Sequence, residues 1–111
     1  MTNREIALEY LKHFCAGDVD SLEPLLAPDL RFAGTFHTFR SASEYLDSLR
    51  HDPPEQCTYK VLSATESDDS VAVFYEYHKS GQAMQIAQLF KVKDNKIYEV
   101  LLVFDGRDVI R

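Results

Sequence analysis

The spacing of apolar residues changes from about 3.6 to two partway along this chain, so helices are expected first and strands after them. Ile6, Tyr10 and Phe14 recur at intervals of four, with Ala7, Leu11 and Cys15 beside them. That is the wide apolar stripe of a helix packed on a core. Thr2-Asn3-Arg4-Glu5 reads as a capping box at its start, and Gly17 as the left-handed stop after Ala16. Asp20 is placed to cap a short second helix running to Leu26, with Leu22, Leu25 and Leu26 inward. Pro24 falls in its first turn, where a missing N–H costs least, and Pro28-Asp29 closes it. Residues 30–33 read as a short strand and 34–40 as a loop carrying Phe36, His37 and Phe39. Ser41-Ala42-Ser43-Glu44 is a second capping box, and Tyr45, Leu46 and Leu49 form the stripe of a third helix that Pro53-Pro54 prevents from continuing.

From Cys57 onward the period is two. Strands are predicted at 58–65, 71–78, 84–92 and 97–104, joined by short polar turns, which makes the sheet a largely antiparallel meander. Val71, Val73, Tyr75 and Tyr77 share one face of their strand, and Ala72, Phe74, Glu76 and His78 the other. Met84, Ile86, Gln88 and Phe90 face in from the next strand, and Val100, Leu102 and Phe104 from the last. The expected architecture is α+β, with three N-terminal helices packed on a strongly curved, mainly antiparallel sheet. A sheet that bends strongly leaves a cone-shaped cavity between its inner face and the helices. The inward set is apolar and aromatic with a few polar groups, the composition of a small-molecule pocket and equally that of a filled core.

The chain has 111 residues, the length of a single domain spanning 1–111. Its net charge of -6 argues against nucleic acid or an anionic membrane as partner, because no basic excess is available to neutralise phosphate. The opening residues contain no apolar signal segment, and no apolar run approaches the ~20 residues needed to cross a bilayer. A cytoplasmic protein is expected. Cys15 and Cys57 stand far apart in sequence and read as buried thiols of a reducing compartment. His13, His37, His51 and His78 are scattered without metal-ligand spacing, so no metal is expected, and no glycine-rich phosphate loop or other cofactor signature is present.

Residues 10–22, Tyr-Leu-Lys-His-Phe-Cys-Ala-Gly-Asp-Val-Asp-Ser-Leu, followed by Leu26-Ala27-Pro28-Asp29-Leu30-Arg31-Phe32, resemble the opening of the nuclear transport factor two-like superfamily. The SnoaL-like and ketosteroid isomerase-like branches are the most similar, and residues 88–92 and 102–105 fit the same pattern. The resemblance implies a cystatin-like fold, a cone-shaped α+β barrel with a pocket. The isomerase uses a tyrosine and a protonated aspartic acid as an oxyanion hole, with another aspartate moving the proton; this enzyme is a worked example of carboxyl tuning. On that comparison Tyr10 matches the oxyanion tyrosine and Gln88 stands where the neutral acid would be. An amide donates hydrogen bonds, so Tyr10 and Gln88 are the candidate oxyanion donors. The base position falls near Gly34, and no carboxylate lies between Phe32 and Arg40, so steroid isomerisation itself is not implied.

His37 is the titratable residue of that loop and a candidate base. The SnoaL-like cyclases place an acidic residue on a late strand, which makes Asp105 the other candidate acid or base. Phe14, Val73, Tyr75, Tyr77, Ile86, Leu102 and Phe104 are the expected pocket lining. Two functions remain open. One is a cofactor-independent isomerase, cyclase or dehydratase acting on a hydrophobic carbonyl compound. The other is a non-catalytic ligand-binding or interaction module. A homodimer is expected through the outer sheet face, where Phe74, Leu89, Leu101 and Val103 form an apolar row.

Overall fold

The computed structural model describes residues 1–105. Helix α1 spans Asn3–Cys15 and begins with the predicted capping box. Thr2 Oγ1 accepts from the Glu5 backbone N–H at 3.1 Å, and Glu5 Oε1 accepts from the Thr2 N–H at 2.8 Å. Gly17, at φ +73°, turns the chain away from the helix end. Ile6, Ala7, Tyr10, Leu11 and Cys15 are buried.

The predicted second helix does not form. The chain makes a 3-10 turn at Glu23–Leu25, so among the described residues there are two α-helices rather than three. No side chain caps this turn, Leu22 being its N-cap, and Asp18 closes the turn before it, its carboxylate accepting from the Ser21 N–H at 3.3 Å and the Ser21 hydroxyl at 2.6 Å. Asp20 instead faces Arg50 at 3.4 Å. Strand β1 then starts at once and spans Leu26–Ala33, so Pro28 lies within a strand instead of closing a helix. Proline is tolerated there because β2, only Thr38–Phe39, pairs with β1 at Phe32 and Ala33 and leaves the Pro28 end of that edge unpaired.

Helix α2 spans Ala42–His51, with Ser41 Oγ accepting from the Glu44 N–H. The expected return bond from Glu44 reaches the Arg40 N–H rather than the cap residue itself. Strands β3 (Thr58–Ser67), β4 (Ser70–Lys79), β5 (Gln82–Lys93) and β6 (Lys96–Phe104) follow, each slightly longer than predicted. The β4–β5 turn places Ser80 and Gly81 at φ 54° and 77°, and the β5–β6 turn places Asp94 and Asn95 at 54° and 64°. Positive φ at both central residues is the turn whose twist suits a tight hairpin.

The sheet has six strands in the order β2-β1-β6-β5-β4-β3. It is antiparallel except where β1 runs parallel to β6, with Phe32 opposite Val100. Register shifts at Leu26/Arg31, Val61/Ser63 and Lys91/Val92 bend three of the ladders, and such bulges curve a sheet. The helices lie on its concave face, α1 against β3 to β6 and α2 against β1 and β2. The predicted alternation holds: Val71, Val73, Tyr75, Ile86, Phe90 and Val100 are buried, while Phe74, Leu101 and Val103 are exposed.

Candidate functional site

The curved sheet and the two helices do not close completely on each other. A cavity of about 550 Å³ remains between them, a size suited to a small organic molecule. α1 contributes Tyr10 and Phe14, α2 contributes Tyr45, and β1 contributes Phe32. Tyr75 and Tyr77 come from β4, Met84, Ile86 and Gln88 from β5, and Leu102 and Phe104 from β6. The β4–β5 hairpin, with Lys79, Ser80, Gln82 and Ala83, forms the rim.

Aromatic packing fixes the inner wall. The Tyr10 ring meets Phe90 edge-on at 5.2 Å and lies roughly parallel to Phe14 at 6.0 Å. Tyr45 stacks on Phe32 at 4.8 Å. Such contacts hold the rings and thereby aim their hydroxyls. Tyr10 and Tyr45 share a short hydrogen bond between their hydroxyls. Tyr75 donates its hydroxyl proton to Gln88 Oε1 at 2.8 Å. The Gln88 amide is near enough to the Tyr10 hydroxyl to pull its pKa down, which sets the two pairs, Tyr45–Tyr10 and Gln88–Tyr75, side by side.

Burial pushes the Tyr10 phenol up to about 12, against the opposing pull of its hydrogen bonds from Tyr45 and Gln88. Tyr45 is driven well above the ordinary phenol value, first by burial and then by its closeness to Tyr10. Tyr75 and Tyr77 are raised as well, burial again being the main cause. All of these phenols are therefore neutral donors at physiological pH. When Tyr45 and Gln88 both donate to the Tyr10 oxygen, the Tyr10 proton is left for an acceptor in the cavity.

Tyr10, Gln88, Phe14, Tyr75, Tyr77, Ile86, Leu102 and Phe104 line the cavity. Val73 is fully buried but lies in the core rather than on the cavity wall. His37 is exposed on the loop after β1, its ring stacked on Phe39 at 6.1 Å, and Asp105 is exposed beyond the end of β6. Neither of them lines the cavity, and among the described residues no Asp, Glu or His does. Gln88 is 4 % exposed, yet it has its own partner in Tyr75. Among the described residues no buried side-chain nitrogen or oxygen lacks one. The amide therefore does not require a ligand to be satisfied. Tyr45 is the member that sequence reasoning missed. Its place in the apolar stripe of α2 marks it as core, and only its hydroxyl hints at a polar role.

A family model described as a SnoaL-like domain matches residues 7–100. The sequence finds no match among curated proteins. A putative ketosteroid isomerase from Kribbella flavida superimposes with a TM-score of 0.81 at 18% identity, covering 94% of this chain and 78% of that one. An LEH-like epoxide hydrolase of M. tuberculosis gives 0.80 at 18% identity, over 96% of this chain and 84% of that one. A de novo designed protein with a curved β-sheet also gives 0.80, at 19% identity, over 96% of this chain and 90% of that one. At such identities the likeness is one of fold. Among the described residues, no helix is long and apolar enough to cross a membrane.

Proposed function

The chain belongs to the SnoaL-like domain family, and on that premise we propose that it binds a small, mainly apolar molecule carrying a carbonyl or similar oxygen acceptor. The observation that carries this reading is the cluster of two hydrogen-bonded pairs of neutral groups, Tyr45–Tyr10 and Tyr75–Gln88, on a mainly apolar inner wall of the cavity. Tyr10 donates to the ligand oxygen, while Tyr45 and Gln88 hold the phenol in place and strengthen its polarity as donors to it. The apolar remainder, Phe14, Ile86, Leu102 and Phe104 among it, takes the hydrocarbon body.

Such donors stabilise charge that develops on an oxygen, the task of an oxyanion hole. Isomerisation, cyclisation or dehydration also needs a group that takes a proton from carbon. With His37 and Asp105 outside the cavity lining, the reading favoured here is a binding pocket that polarises its ligand. A relative named as an isomerase and another named as an epoxide hydrolase make small-molecule pockets plausible for the fold without fixing this chain's chemistry.

The test is a titration with cyclic ketones and enones, followed by tyrosine fluorescence, which is readable because the chain has no tryptophan. Saturable binding that weakens in Tyr10→Phe supports the proposal. Binding that is indifferent to Tyr10 and Gln88 replacements overturns it.

A second reading concerns the opposite sheet face and is independent of the first. Phe74, Leu101 and Val103 are 54%, 45% and 51% exposed. They sit at neighbouring ladder positions: Phe74 is opposite Ala87, Ala87 opposite Val103, and Leu89 opposite Leu101. An apolar patch crossing the middle of a sheet calls for a cover. A second copy of the chain, pairing face to face, would supply it as a homodimer.

A further inference from the structure

Cys15 ends α1 and Cys57 precedes β3, and the fold brings the two together at the foot of the cavity wall. The Cys57 backbone N–H donates to the Cys15 carbonyl at 2.9 Å. A direct backbone bond of this kind holds the two Cα atoms about 5–6 Å apart, as in paired strands. A disulfide needs roughly 4.4–6.8 Å. That backbone approach places the two thiols in one neighbourhood. Both are free. The contact is closely packed: a Cβ at Gly17, just beyond Cys15, would stand 3.1 Å from the Pro54 carbonyl oxygen, a tight approach. The segment 54–57 is thus seated on the end of α1.

We propose that Cys15 and Cys57 form a redox-active pair that closes an intramolecular disulfide when a peroxide is present, and that this oxidation is felt in the cavity through Tyr77.

The two thiols differ in the way such a pair requires. Cys57 is half-buried and meets the oxidant, while Cys15 is 3% exposed and waits behind it. Burial pushes the Cys15 thiol up to about 12, with Cys57 contributing in the same direction, so alone it is a poor nucleophile. In the first step the Cys57 sulfur attacks a peroxide oxygen, the O–O bond breaks, and the leaving hydroxide is protonated to water. This gives Cys57 as a sulfenic acid. In the second step the Cys15 sulfur attacks Cys57 Sγ, the S–O bond breaks, and hydroxide leaves with the Cys15 proton as a second water. Two thiols lose two electrons and one peroxide gains them. A small dithiol reverses the change by exchange.

Tyr77 connects this pair to the cavity. Tyr59, two residues after Cys57, pairs opposite Tyr77, so Cys57 lies on the diagonal from Tyr77. The Tyr77 phenol is raised by burial and then by the Cys57 side chain, and its ring lines the cavity. A disulfide removes the Cys57 S–H and draws the sulfur toward Cys15, so the surroundings of Tyr77 change with it. Phe14, next to Cys15 in sequence, lines the same cavity and is tied to the crosslinked turn. The inference does not depend on what occupies the cavity.

The test uses the full chain, reduced and then treated with one equivalent of hydrogen peroxide. The expected product is a monomer lighter by two hydrogens, with a Cys15–Cys57 crosslinked peptide, a melting temperature higher by several degrees, and full reversal by dithiothreitol. Cys57→Ala, at a half-buried position, should lose both the crosslink and the thermal shift. Cys57 recovered as a sulfinic acid or as an intermolecular disulfide, with Cys15 untouched, overturns the pairing. So does a thermal shift that persists in Cys57→Ala. For the coupling, the affinity of anilinonaphthalene sulfonate should differ at least about threefold between the two forms, and Tyr77→Phe should abolish that difference while the disulfide still forms. Equal affinity in both forms overturns the link to the cavity.

Discussion

Tyr75 and Gln88 sit diagonally across the β4–β5 ladder, with Val73 opposite Gln88 and Tyr75 opposite Ile86, and the Tyr75 hydroxyl reaches Gln88 Oε1 at 2.8 Å. A same-face diagonal is within reach of long side chains in an antiparallel pair. This bond engages the amide oxygen and leaves the amide nitrogen as the group available to donate. A cross-strand contact thereby decides which end of the amide can donate.

Gln88→Leu leaves the Tyr75 hydroxyl without its acceptor and removes a donor from Tyr10. A buried polar group stranded in this way costs about 1–3 kcal/mol. The double variant Gln88→Leu/Tyr75→Phe should lose less than the sum of the single changes, because each removes a partner of the other. Urea unfolding of the four proteins gives the coupling, and strict additivity would mean that the bond contributes nothing.

Above pH 10 stability should fall. Tyr10, Tyr45 and Tyr75 all ionise less readily in the fold than the ordinary phenol near 10, mainly because they are buried. Between about pH 10 and 12 the unfolded chain gives up protons that the folded chain keeps, so the unfolded state is favoured as pH rises. Each phenol kept protonated adds a slope of about 1.4 kcal/mol per pH unit in that window. Below pH 10 the full stability remains. Denaturant unfolding from pH 8 to 12 should show the decline, and Tyr10→Phe should make it shallower. An unchanged slope would contradict the burial of that hydroxyl.

Ligand binding should separate the cavity groups from the loop and strand-end candidates. Tyr10→Phe is expected to weaken binding of a cyclic enone about 2- to 10-fold, the value of one neutral hydrogen bond. The pair His37→Ala and Asp105→Ala should leave it unchanged, alone and together. Leu102→Phe should abolish it by filling space. A loss of binding or turnover in His37→Ala would instead restore a proton-transfer role to that residue.

Gly17→Ala should destabilise the chain by at least about 1–2 kcal/mol, the cost of a left-handed backbone for a residue with a Cβ. The close approach of the Pro54 carbonyl adds to it. Gly81→Ala, also at positive φ but with open space around it, should cost less. Equal losses in the two variants would show that the Pro54 contact has no weight.

Light scattering at tens of micromolar should report a dimer, and Val103→Asp should convert it to a well-folded monomer. The substitution sits on an exposed position, so circular dichroism should not change. A monomeric parent protein would count against face-to-face pairing.

The local signals in this sequence determined most of the frame. A capping box and a four-residue spacing of apolar side chains define α1. Alternation within β4, within β5 and from Val100 to Phe104 in β6 defines which residues face inward, with Ile97 and Val100 both buried across a break in the period. These patterns are short-range, and each residue carries its own share of them. The stretch 20–29 carries the pattern of a helix without forming one, because Leu22, Leu25 and Leu26 satisfy a helix and a strand edge equally well, while 30–33 is the strand its pattern predicts. The choice was made by pairing with β6, some seventy residues away. Tertiary structure alone also decided that the cavity stays open, that Tyr45 reaches Tyr10, that Gln88 is satisfied by Tyr75, and that Cys15 meets Cys57. Each of these depends on how separate elements meet, from neighbouring strands for Tyr75 and Gln88 to elements 35 residues apart for Tyr10 and Tyr45. Hydrophobic patterning says which way a side chain points, but what it meets depends on how curved sheet and helices come together.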